Sequence, residues 1–138
     1  MSRSKAREVA MMILYSGTVG GQDTPLAVCE KLDARDALDG ADTGYAEEIV
    51  SGVAAHVAEI DRLIGEHAVG WSLDRIARVD LSILRVAIYE MLYRDDVPTG
   101  AAINEAVELA KRYGGDKSFA FINGILGTVA RQREEANV

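Results

Sequence analysis

The stretch DLSILRVAIYEMLY, Asp80 to Tyr93, decides the fold. Its apolar residues, Leu81, Ile83, Leu84, Val86, Ala87, Ile88, Met91 and Leu92, fall on nearly every side of a helical repeat. A helix that is apolar all round has no face to offer water, so it belongs at the centre of a bundle. Its neighbours must be amphipathic helices that wrap it.

The rest of the chain supplies them. Upstream, Tyr45 to His67 carries Ile49, Val53, Val57, Ile60 and Ile64 at spacings of three and four, and Gly70 marks its end. Ser72 then reads as an N-cap, with Trp71 and Ile76 placed for a hydrophobic staple that opens a short helix. Downstream, Pro98–Thr99 restarts the chain, and Ala102, Ile103, Ala106, Val107, Ala110 and Tyr113 line one face. Glu105, Glu108, Lys111 and Arg112 take the other face, with Glu108 and Arg112 at i,i+4 spacing. Gly114–Gly115 supplies a stop, and Asp116 or Ser118 starts a last helix with the stripe Phe119, Ile122, Leu126 and Val129. At the front, Ser4 to Tyr15 buries Ala6, Val9, Ala10 and Ile13. Glycines at 17, 20 and 21 break that helix, and Asp23–Thr24–Pro25 opens a short one over Leu26 to Leu32. No strand-like alternation is present. The expected fold is all-α, roughly seven helices in a single 1–138 domain, with a break at Gly70–Trp71 between subdomains of about 1–70 and 71–138.

Composition agrees with a globular chain: 138 residues, 49% hydrophobic and 27% charged. No apolar run approaches the roughly 20 residues of a membrane span, and no apolar leader opens the chain, so a cytoplasmic address is expected. Cys29 is the sole cysteine, followed by Glu30, and reads as a small core residue. His56 and His67 lie about 16 Å apart along one helix, too far to share a metal. The glycine-rich GTVGGQDT lacks the Lys-Ser/Thr ending of a phosphate loop. No catalytic constellation assembles, so the expectation is a non-enzyme without a cofactor.

Net charge of −7 argues against a binder coated in basic residues but leaves room for a local patch. Arg3, Lys5 and Arg7 form one at the start of the first helix, where positive charge opposes the macrodipole at about 0.3–1 kcal/mol per exposed cation. Glu8 offsets part of this. Arg3, Arg7, Met11 and Tyr15 make an i,i+4 ridge beside the buried stripe. Two readings stay open on these residues alone. The cluster is either incidental charge on a solvated end, or an anion site for RNA phosphates with Tyr15 as a planar face farther along.

ILRVAIYEM (83–91), DVPTGAAINEAVELAKRYG (96–114), SFAFINGIL (118–126) and the opening AREVAMMILY closely resemble the NusB family of bacterial transcription antitermination factors. The resemblance implies an all-helical fold of two small packed bundles, with no catalysis and no cofactor. It implies binding of boxA RNA in ribosomal RNA transcripts, jointly with the small-subunit ribosomal protein NusE. It further implies a complex with NusA, NusG and RNA polymerase that suppresses termination. The family's arginine-rich motif falls on Arg3, Lys5 and Arg7; Lys117, with Lys111 and Arg112, extends the implied RNA surface. Tyr15 and Asp80 match partner-facing positions, although Tyr15 also suits a cover for the core edge and Asp80 a first-turn acid. The INEAVELAK and FING blocks read mainly as structure: Asn123 is expected to bond a neighbouring loop backbone, and Gly124 and Gly127 to permit close helix approach. Gly100 and Ala120 stand where the family often has lysine, and Lys117 where it often has an acid. Two alternatives accompany this reading: a structural helical adaptor or homodimer, and a detached module like that fronting certain ribosomal RNA cytosine methyltransferases.

Overall fold

The protein is seen here as a computed structural model that describes residues 2–18, 42–68 and 72–136. The helix expected at Leu26–Leu32, Cys29, Gly70, Trp71 of the staple and the subdomain boundary lie outside the described residues. Five α-helices are present within them: α1 (Arg3–Thr18), α2 (Thr43–His67), α3 (Arg78–Tyr93), α4 (Thr99–Tyr113) and α5 (Ser118–Ala136). Among the described residues there is no β-strand. The short helix expected after Ser72 is a 3₁₀ turn, Leu73–Arg75, and Ser72 makes no side-chain capping bond to it.

Helix α3 packs against each of the other four. Ile83, Leu84 and Ile88 are fully buried on it, and even Ser82, Tyr89 and Glu90 are buried. Burying one such aliphatic side chain is worth about 1.5–3 kcal/mol, so this helix anchors the bundle. Around it, α1 contributes Ala6, Val9, Ala10, Met11 and Ile13; α2 contributes Ile49, Val53, Ile60 and Ile64; α5 contributes Ile122, Ile125, Leu126 and Val129. All of these join one continuous core.

Three residues expected on buried apolar faces, Val57, Tyr113 and Phe119, are on the outside. Val57 is exposed because α2 kinks at His56, whose backbone leaves helical geometry at φ −121° and ψ 17°. Val53 and Ile60, on either side of the kink, stay buried while Val57 does not. Phe119, in the first turn of α5, faces solvent, while Ser118 before it is buried and Phe121 after it packs against the core.

The helix ends place the surface residues. Asp42 caps α2, accepting from the Tyr45 N–H at 3.1 Å. The Gly114 N–H closes α4 on the Ala110 carbonyl at 2.8 Å. A side chain at Gly114 would collide with Ser118, so the α4–α5 corner is tight. Ser118 pins it, its hydroxyl accepting from the Gly115 N–H at 2.9 Å and donating to Asp80 Oδ2 at 3.1 Å.

Candidate nucleic-acid interface

The basic residues of α1 separate into two kinds. Arg7 is buried, its Nε donating to both carboxylate oxygens of Glu90 at 2.8 and 2.9 Å. The Tyr45 hydroxyl donates to the same carboxylate, and Glu105 lies 3.5 Å from the Arg7 guanidinium. Desolvation works against the charge on Arg7, but the hydrogen bond and charge of Glu90 outweigh it and hold its pKa up. Arg7 therefore ties α1 to α3 and offers little surface.

Arg3 and Lys5 are exposed. The Arg3 guanidinium lies 4.4 Å from the centre of the Tyr45 ring and 3.1 Å from Asp96. Asp96 also receives a two-pronged contact from Arg94 at 2.9 and 3.0 Å. Arg94 above all, with Arg3, lowers the Asp96 carboxyl to about 2. Lys5 lines a cleft of about 150 Å³ between α1 and α4, shared with Ser4, Glu8, Glu105 and Arg112. Arg112 reaches Glu8 at 2.9 Å, and the Tyr113 hydroxyl donates to that same carboxylate. The pairing expected within α4, Glu108 to Arg112, is thus replaced by Glu108 with Lys111 at 3.7 Å.

Lys117 sits apart from that cleft. With Arg75, Ile76, Ser118, Phe121 and Asp80 it lines a cavity of about 380 Å³. Asp80 is buried, and burial pushes its carboxyl up while Ser118 pulls it back. Its Oδ1 has no hydrogen-bond partner among the described residues. Tyr15 is half-exposed, about 18 Å along α1 from Arg3. The fold therefore gathers Lys5 and Arg112, with Arg3 on the same helical turn, and joins Lys117 to Asp80. Tyr15 stands alone.

Three residues that matter to this surface were missed in the sequence: Tyr45, Glu90 and Arg94. Glu90 carried a usable signal, since an acid inside an all-round apolar helix requires a cation. Asn123, expected to bond a loop backbone, is exposed and makes no such bond.

The sequence pattern of the NusB family matches residues 4–131. The chain belongs to the NusB family. Two NusB relatives match it over nearly their full length. The transcription antitermination protein NusB of Acetivibrio thermocellus is 46% identical, over 95% of this chain and 90% of that protein. That of Bacillus subtilis strain 168 is 42% identical, over 99% and 100%. A solved structure of the antitermination factors NusB and NusE in complex with double-stranded RNA holds a chain 27% identical, with a TM-score of 0.81 over 94% of this chain and 96% of that one. NusB proteins are transcription antitermination factors, and as a member of the family this chain is not an enzyme. Among the described residues, no helix is long and apolar enough to cross a membrane.

Proposed function

We propose that this chain is a transcription antitermination factor of the cytoplasm that holds boxA RNA of ribosomal RNA transcripts, together with the ribosomal protein NusE. The observation that carries the reading is the match to NusB antitermination proteins over nearly the whole chain; the fold adds Lys5 and Arg112, brought from opposite ends of the sequence to one cleft beside Glu8, Glu105 and Glu108. On a body of net charge −7, exposed cations confine a polyanion to the places where they stand.

Arg3, Lys5, Arg112, Lys111 and Lys117 are assigned to phosphates, and Arg7 to positioning α1 so that its neighbours project. The whole chain, 1–138, acts as one RNA-binding unit. Tyr15 and the mouth of the Asp80 cavity are assigned to NusE, through which NusA, NusG and RNA polymerase are engaged. With Gly100 and Ala120 in place of lysines, Lys117 supports the RNA on its side. The match to nearly the full length of antitermination proteins favours this reading over a methyltransferase module.

Gel filtration of the chain with NusE and a boxA oligonucleotide tests it. A three-component peak that loses its RNA when Arg3, Lys5 and Arg112 are all changed to alanine is expected. An RNA-free peak with the unmodified chain would contradict it.

A further inference from the structure

Phe119 is the most exposed of the large apolar side chains on the described surface, at 43%. Its helical phase matches Ile122 and Leu126, yet it faces out. A cation stands beside it, itself paired with Glu108. The Lys111 ammonium stands 5.8 Å from the ring centre, within the range of a cation–π contact. Lys117, two residues earlier, is exposed and makes no ion pair with another described residue. The ring is also held on a rigid mount, because Ser118 locks the corner through Gly115 and Asp80.

We propose that Phe119 is a stacking platform for one base of single-stranded RNA, with Lys111 and Lys117 taking the phosphates beside it. The inference rests on the RNA-binding function and assigns a residue to it. A flat apolar ring with one ammonium group beside it and a second lysine two residues earlier fits a polyanion with flat apolar faces. An apolar protein surface fits poorly, because docking there would desolvate Lys117, which has no ion pair among the described residues.

Titration of the full chain with a boxA oligonucleotide at several salt concentrations tests the assignment, using Phe119→Ala, Phe119→Leu, Phe119→Trp and Lys111→Ala. Stacking on one aromatic ring predicts a loss of about tenfold or more for both Phe119→Ala and Phe119→Leu, with Phe119→Trp retaining affinity. The Phe119 variants keep the wild-type slope of log affinity against log salt, since stacking releases no counterions. Lys111→Ala flattens that slope by about 0.7. Equal urea midpoints for the Phe119 variants show that the fold is intact. Wild-type affinity in Phe119→Leu overturns the stacking role, as does loss of NusE binding with RNA binding unchanged. Failure of the unmodified chain to bind RNA at all overturns the functional reading itself.

Discussion

Arg7 on α1 and Glu90 on α3 form an ion pair buried between the helices, with Nε 2.8 and 2.9 Å from the two carboxylate oxygens. The pair explains why the opening helix carries a cation at that turn: Glu90 sits in the apolar centre and needs one. Of the three basic residues at the chain's start, the middle of the bundle claims one and leaves two for the surface.

Removing one partner strands the other charge. Arg7→Ala should destabilise the fold by about 3–5 kcal/mol in urea unfolding, whatever its effect on RNA. Replacing the whole network at once, by Arg7→Met, Glu90→Met and Tyr45→Phe, should recover most of that loss, because no buried charge remains unpaired.

Gly52 and Gly124 are both helical, yet alanine should act in opposite directions. A Cβ at Gly52 would overlap the buried Tyr89 ring and force it to shift within the core, so Gly52→Ala should destabilise by about 1–3 kcal/mol. Nothing lies within 4 Å of a Cβ at Gly124, so Gly124→Ala should stabilise by up to about 1 kcal/mol. Thermal melts distinguish the pair.

Burial, followed by its hydrogen bond to Glu90, pushes the Tyr45 hydroxyl well above the usual tyrosine range. The neutral phenol is favoured in the fold, so its contribution is intact below pH 10 and is lost as pH rises beyond that, where the unfolded chain ionises first. Tyr89, Tyr93 and Tyr113 are raised as well. Melting temperature should therefore fall between about pH 10 and 11.5. Tyr45→Phe should make that fall shallower without abolishing it.

Asp96 competes with RNA for Arg3. Asp96→Asn keeps a hydrogen-bond acceptor for Arg94 while freeing Arg3 from a carboxylate, and should tighten RNA binding about two- to fivefold, the scale of one exposed ion pair. Asp95→Asn removes the same charge from a neighbour with no ion pair among the described residues, and should change affinity less. Fluorescence anisotropy with a labelled boxA oligonucleotide measures both.

The helices were legible because apolar spacing is a local property. Arg78–Tyr93 and Thr99–Tyr113 lie within two residues of their expected bounds. Periodicity assumes an unbroken helix with one buried face along its whole length, and it misplaced Val57, next to the kink, and Phe119, in the first turn of α5. The glycines of α5 were read as close-packing sites, but a Cβ at Gly124 meets open space; the close approach is at Gly52. The basic cluster was visible as charge, but its partners Glu90, Asp96 and Glu105 lie 83 or more residues away and depend on tertiary packing. Long-range pairing divided Arg7 from Arg3 and Lys5, and spacing carries no such information.

The most direct test is the salt dependence of boxA binding by the unmodified chain, beside an Arg3→Ala, Lys5→Ala, Arg112→Ala variant that leaves Arg7 in place. Five phosphates held on single-stranded RNA by Arg3, Lys5, Lys111, Arg112 and Lys117 predict a slope of log affinity against log salt of about −3.5, flattened by about 2 in the folded variant, which keeps Lys111 and Lys117. A flat response in the unmodified chain, or the same slope and affinity in both proteins, would contradict the assignment of this surface to RNA.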